Sequence, residues 1–234
     1  MFAVSEHSAS KSVTINFKKL LVKECDYNMV DRLVEKYHYL GEKDFRSGYC
    51  YSLCEKANQS FGDLTAIGKT LGGLVWHGVS VPNTVVGAFG LDRDDQEGMF
   101  ELGRFVLITE ANQKNVASFF LSKSIKMLQK KTKVRALITY ADSEHHKGTL
   151  YKACNFKYYG LTDPKTDFFD ERGKRIERGE VKSMRGQWLP RSRKHRYMIV
   201  FDKNLNIKWR EQPYIKNNNS TETSPDSLWN SLWS

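Results

Sequence analysis

The stretch that most constrains this fold runs from "LGRFVLI" (102–108), through a helical spacing that begins near Asn115, to the apolar run "VRALITYA" (134–141). An apolar run without alternation reads as a strand buried on both faces, and Leu121, Ile125 and Leu128 recur at the spacing of one helix face. Strands joined by such a crossover lie parallel and right-handed, and ligands in such sheets gather at the strands' carboxyl ends. Asp142 stands there and begins the polar segment "DSEHHKGTLYKACNF".

The flanking text predicts an α/β (α+β) domain: antiparallel N-terminal strands joined to this parallel strand–helix–strand unit in one mixed central sheet. "VTINF" and "LLVKE" read as strands. Asp26 opens a helix with Val30, Leu33, Val34 and Tyr37 on one face, stopping near Gly41, which puts His38 at its C-terminal end. "YCYSL", "LGGLVWHGVSV" and "TVVGAFGL" read as an antiparallel meander. Later come a short helix, "GTLYKACN", and two strands, "FKYYGL" and "HRYMIVFD". The expected organisation is a flexible start (1–12), a domain over 13–212 with an aperiodic insertion at 162–195, and a polar tail (213–234). The tail's Trp229 and Trp233 are a docking motif or incidental aromatics.

Charge enters with that insertion. The chain carries 37 Lys and Arg against 27 Asp and Glu, a net +10, which favours polyanionic partners. "RGQWLPRSRKHR" concentrates Arg185, Arg191, Arg193, Lys194 and Arg196 around Trp188 with no acid. Such a loop suits phosphate contact and base stacking, and a solvated loop is the competing reading. Cys25, Cys50, Cys54 and Cys154 have no C-x-x-C spacing, so reduced, buried thiols are expected rather than a zinc ribbon. No apolar run approaches a membrane span and no secretory pattern opens the chain, so a cytoplasmic protein is expected.

Four residues invite chemistry, each beside a plainer role. His38 caps a helix or faces a ligand. Arg104, inside an apolar strand, needs Asp142, Glu101 or an anionic ligand beside it, as a structural ion pair or a substrate clamp. Asp142 is a helix cap or a proton acceptor; Tyr151 is a core residue or a general acid. Two histidines with a carboxylate, drawn from His145, His146, His38 and Asp142, spell a metal triad on paper, but adjacent histidines diverge, so no metal is assigned.

The order strand, helix, strand, then "LYKACNF" resembles the GCN5-related N-acyltransferase superfamily, whose matching segment reads Leu-Tyr-x-x-x-Gly-Phe. Tyr151 and Phe156 match, and Asn155 replaces the glycine, asparagine being the next best residue for a left-handed cap. "YHYLG", "ELGRF", "LITYAD", "HKGTLYKACNF" and "KHRYMIV" together are similar to the Mom family of phage DNA-modification proteins, over most of residues 30–202. That resemblance implies conversion of adenine in DNA to carbamoylmethyl (acetamido) adenine, protecting phage DNA from host restriction. It implies His38, Arg104, Asp142 and Tyr151 as the polar residues of the site, and the superfamily's tyrosine as the acid for the leaving group.

The superfamily's glycine-rich pyrophosphate loop is replaced by "NQKNVAS", which leaves Asn112, Asn115 and Ser118 as the residues expected to hold the donor. That donor is glycyl-tRNA or acyl-CoA. The expected partners are DNA, with the adenine flipped out or single-stranded, and tRNA. Two rival readings stand beside this one: an acyl-CoA-dependent N-acetyltransferase acting on a small amine or protein, and a non-enzymatic DNA-binding protein.

Overall fold

A computed structural model describes residues 15–38, 46, 48–56, 67–81, 83–177, 179–181 and 184–215. In chain order the strands are β1 (Leu20–Glu24), β2 (Tyr49–Lys56), β3 (Ile67–Gly78), β4 (Met99–Leu107), β5 (Ala136–Asp142), β6 (Lys157–Leu161), β7 (Lys165–Asp170), β8 (Arg175–Ile176), β9 (Gly186–Arg191) and β10 (Lys194–Val200). The helices are α1 (Tyr27–Tyr37), α2 (Asn83–Phe89), α3 (Val116–Lys131) and α4 (Thr149–Ala153). Seven strands form one sheet in the order β1-β2-β3-β4-β5-β10-β6, antiparallel except for β4 beside β5. The mixed sheet with its parallel strand–helix–strand unit is the architecture expected from the sequence.

Strand alternation divides the core between the two faces. Leu137, Leu74 and Trp76 pack against Phe120, Leu121 and Leu128 of α3, and the Trp76 indole N–H donates to Ser124 Oγ at 3.1 Å. Ala136 and Ile138, one step out of phase, pack with Met198 against Val85, Ala88 and Phe89 of α2. Val75 and Val106 meet Val30 and Val34 of α1. Each of the Val, Leu, Ile, Phe and Met side chains among them stabilises the fold by about 1.5–3 kcal/mol when fully buried.

Several elements differ from the sequence reading. "TVVGAFGL" lies in α2, not a strand: its paired valines favour β locally, but Val85, Ala88 and Phe89 bury one helix face. Of "VTINF", residues 13 and 14 lie outside the described residues; Phe17–Lys19 form a 3-10 turn capped by Asn16, whose side chain accepts the Lys18 N–H. Helix α1 stops at Tyr37 with His38 as its C-cap, while Gly41 lies outside the described residues. The insertion holds a three-stranded sheet ordered β8-β7-β9, in which only Phe168 and Ile176 are buried, so it offers almost no apolar rhythm to read. Past residue 212 the chain stays on the core: the Tyr214 hydroxyl donates to the Phe156 carbonyl at 2.6 Å. Trp229 and Trp233 lie outside the described residues.

All four cysteines are free thiols. Burial pushes Cys25 up to about 12 and raises Cys50 and Cys154, so these three are not poised as thiolate nucleophiles. Among the described residues no helix is long and apolar enough to cross a membrane.

Candidate active site

Strands β4 and β5 pair only from Met99–Ala136 to Glu101–Ile138. Beyond that point β4 stays with β3 as far as Leu107, and β5 stays with β10 as far as Asp142 opposite Lys194. The parallel strands therefore splay at their carboxyl ends, where two clefts open. The first, about 550 Å³, reaches from the end of α1 through the splay to the starts of α3 and α4. The second, about 540 Å³, lies beside α2 and the end of β9. Glu101, Arg104, Tyr140 and Lys194 line both and form a shared throat.

A bulge builds that throat. In a regular strand Glu101 and Arg104 would point to opposite faces. The β3–β4 register shifts between Val75–Arg104 and Trp76–Leu102, leaving Gly103 as the extra residue, and a bulge reverses the alternation so that both side chains reach the opening. Only glycine fits: a Cβ on Gly103 would lie 2.3 Å from His77 Nε2, and His77 is held in place, its Nδ1 2.6 Å from the Gly78 carbonyl oxygen. On β5 the parity is simpler. Ala141 packs in the α3 core, so Tyr140 and Asp142 on either side of it point to the opposite face.

The structure brings His38, Arg104, Asp142 and Tyr151 together as lining of the first cleft, as the sequence reading grouped them. Asp142 does not cap α4, whose N-cap is Gly148 at φ 70°. Its Oδ1 accepts the Glu144 N–H at 3.1 Å and its Oδ2 accepts the Ser192 hydroxyl at 2.8 Å. Arg104 Nη1 donates to the Gly103 carbonyl at 2.9 Å. The Glu101 carboxylate faces the Ser80 N–H at 2.9 Å. The Tyr151 ring packs against Tyr197 and Phe156, with centroids 5.3 and 5.8 Å away, its hydroxyl donates to the Tyr140 carbonyl at 3.4 Å, and the residue lines the first cleft. Asn155 takes the left-handed conformation at φ 63°.

Burial, reinforced by the Arg104 guanidinium, lowers His38 to about 4. Burial also lowers His146, with Asp142 opposing it. Both imidazoles are therefore neutral at pH 7. Lys194, paired across the strands with Asp142, is half-buried, and burial lowers its ammonium, with Arg191 adding to the effect. Asp142, Glu144 and His145 each bring one ligand atom within 4.8 Å of the others; His146 turns to the Tyr151 ring instead.

Of the residues expected to hold the donor, Asn112 lines the first cleft. Asn115 is the left-handed N-cap of α3, and Ser118 Oγ donates back to its carbonyl at 3.1 Å. The basic segment divides. Arg185, just before β9, and Trp188 and Arg191 on it are exposed, with Trp188 edge-on to Phe168. Arg193 and Arg196 are instead tied down, donating to the Thr162 and Leu161 carbonyls at 2.7 and 2.9 Å. Sequence reasoning missed the throat roles of Tyr140 and Lys194 and the bulge. A lone glycine inside an apolar strand was the available signal for the last.

The family model for the Mom protein family matches residues 19–216. The chain belongs to the Mom family. None of the curated proteins matches it in sequence. Among solved structures it is similar to the ribosomal-protein-S5-alanine acetyltransferase of Vibrio fischeri, at 9% identity and TM-score 0.49, over 83% of this chain and 99% of that one. It is also similar to the ribosomal-protein-S18-alanine N-acetyltransferase of Escherichia coli, at 10% identity and TM-score 0.45, over 80% and 99% of the two chains.

Proposed function

We propose that this Mom-family chain is a transferase that places a glycyl-derived acyl group on the exocyclic amine of adenine in DNA, giving the carbamoylmethyl base that shields phage DNA from restriction. The observation that carries the reading is the convergence of Asp142, Arg104, Tyr151 and His38 on one cleft at the splayed end of β4 and β5. A protein that only bound DNA would have no use for such a set.

Adenine's exocyclic lone pair is delocalised into the ring, so the amine needs positioning and a proton acceptor. As its nitrogen bonds to the donor's carbonyl carbon, Asp142, oriented by Ser192 and the Glu144 N–H, takes the nitrogen's proton. Arg104 faces the charge that develops on the carbonyl oxygen. The bond from carbonyl to leaving group breaks, and Tyr151 protonates the departing atom. Neutral His38 accepts a hydrogen bond from the glycyl ammonium. In the glycylated product the ammonium loses its proton to solvent; the free amine then attacks the ring carbon, and the original nitrogen leaves it as the carboxamide, taking up the proton the amine gives, so that carbamoylmethyl adenine forms with no oxidant.

Product chemistry favours an aminoacyl ester over an acetyl thioester: a glycyl group carries the nitrogen and both carbons that the carbamoylmethyl adduct needs. The segment "NQKNVAS" also holds no glycine where a pyrophosphate loop would have them. Glycyl-tRNA is therefore the donor proposed. Cells expressing the protein and fed glycine labelled at nitrogen and both carbons should yield a modified deoxyadenosine that retains all three labels. Label entering from acetate alone would reject the glycyl donor.

A further inference from the structure

We propose that the cleft beside α2 seats the acceptor nucleotide, one deoxyadenosine extruded from a DNA strand, while the donor enters through the opposite cleft. The inference rests on the DNA-modifying reading above and adds which opening takes which substrate.

Charge separates the two clefts. The first balances Arg104 and Lys194 against Glu101 and Asp142, and its histidines, His38 and His146, are neutral. The second carries Arg104, Lys165, Arg191, Lys194 and Arg196 against only Glu101 and Asp163. Both substrates are polyanions, but an extruded nucleotide carries a phosphate on either side and the donor's 3′-terminal nucleotide on one side only, so the more basic second cleft suits the acceptor. That cleft also meets the exposed strand β9, because Arg191 belongs to both.

Its walls suit a base. The Arg196 guanidinium lies 4.6 Å from the centroid of the Trp209 ring and is fixed by its bond to the Leu161 carbonyl. This gives a planar cationic platform of the kind on which bases stack. Thr84 Oγ1 and the Tyr140 hydroxyl, hydrogen-bonded to each other at 3.3 Å, line the same space and offer their remaining donor and acceptor sites to a base edge. Tyr140 leads to the throat, so a base seated here carries its exocyclic amine toward Asp142 and the donor carbonyl. Lys165 and Arg191, the latter with its Nε 3.8 Å from Asp167 Oδ2, line the mouth where the flanking phosphates would lie.

Gly87 lets this be tested without harming the fold. It is exposed on α2 at the cleft wall, and a Cβ there meets only Trp209 Nε1, at an ordinary 3.4 Å. Helix propensity favours Glu or Gln over Gly at such a site. The probe is a fluorescein-labelled single-stranded oligonucleotide containing one adenine, measured by anisotropy with the full chain, alongside KM for the same oligonucleotide in the transfer assay. Gly87→Glu should weaken binding and raise the oligonucleotide KM by about tenfold, the scale of one like charge against nearby phosphates. It should leave the donor's KM unchanged and thermal stability equal or higher, and Gly87→Gln should recover most of the loss.

Unchanged oligonucleotide affinity in Gly87→Glu overturns the assignment, as does a parent protein that does not bind the probe. Modified adenine formed with parental KM by Gly87→Glu sinks the cleft assignment alone. Weakened binding in Gly87→Glu, with no modified adenine from any variant, keeps the nucleotide cleft and rejects the proposed reaction.

Discussion

Gly103→Ala should disable the site by one methyl group. The new Cβ would lie 2.3 Å from Nε2 and 2.4 Å from Cδ2 of His77, well inside van der Waals contact. His77 is 4% exposed and cannot swing into solvent, so the bulge must shift, and with it the aim of Glu101 and Arg104 into the throat. Overpacking of this kind costs about 1–3 kcal/mol, and each kcal/mol lowers the melting temperature of a domain this size by about 2–4 °C. Activity should fall further than stability does, because a displacement of about 1 Å in a positioned group costs on the order of a hundredfold in rate. Thermal unfolding and transfer to an adenine oligonucleotide, at a temperature where the variant is fully folded, read the two effects separately. His77→Ala in the same chain removes the colliding ring, so the double variant should be more stable than the sum of the single losses, by about 0.5–3 kcal/mol of coupling. Parental activity in Gly103→Ala, or strictly additive losses in the double variant, would refute the bulge argument.

Asp142→Asn and Tyr151→Phe should each cut transfer by about a hundredfold to ten-thousandfold, the usual contribution of a proton-handling group, with circular dichroism unchanged; normal yield from either removes that residue from the chemistry. Lowering His38 from 6.5 to about 4 lets the unfolded chain bind its proton first, so stability is full above pH 6.5 and declines as pH falls toward 4. Linkage sets an upper bound of about 3 kcal/mol, which solvent screening of a half-exposed ring reduces to about 1–2. His38→Gln should flatten denaturant-measured stability across that window, and an unchanged slope would contradict the assignment. Neutralising Arg185 and Arg191 together should weaken DNA binding and reduce its salt slope by about 2 with little change in melting temperature. Neutralising Arg193 should instead lower stability, since it holds the Thr162 carbonyl; the reverse pattern would misplace the DNA path.

The central unit was legible because its signals are local. "LGRFVLI", the spacing of Leu121, Ile125 and Leu128, and "VRALITYA" each bury whole faces, so periodicity alone places β4, α3 and β5 and sets Asp142 at the open edge. The assignment of "TVVGAFGL" failed where a seven-residue helix takes its stability from Ala136, Ile138 and Met198, which lie far away in sequence. The insertion hid its three strands because β9 is exposed along its whole length. Of the site, the four polar residues could be grouped from the family resemblance. Lys194 could not be told apart from its neighbours Arg193 and Arg196, because a run of like charges does not show which strand parity turns inward.

The measurement that bears most directly on the account is mass spectrometry of nucleosides from DNA of cells expressing the parent protein or Asp142→Asn. The account predicts a deoxyadenosine carrying one carbamoylmethyl group with the parent and its near-absence with the variant. Unmodified deoxyadenosine alone, from cells holding intact and folded parent protein, would contradict it.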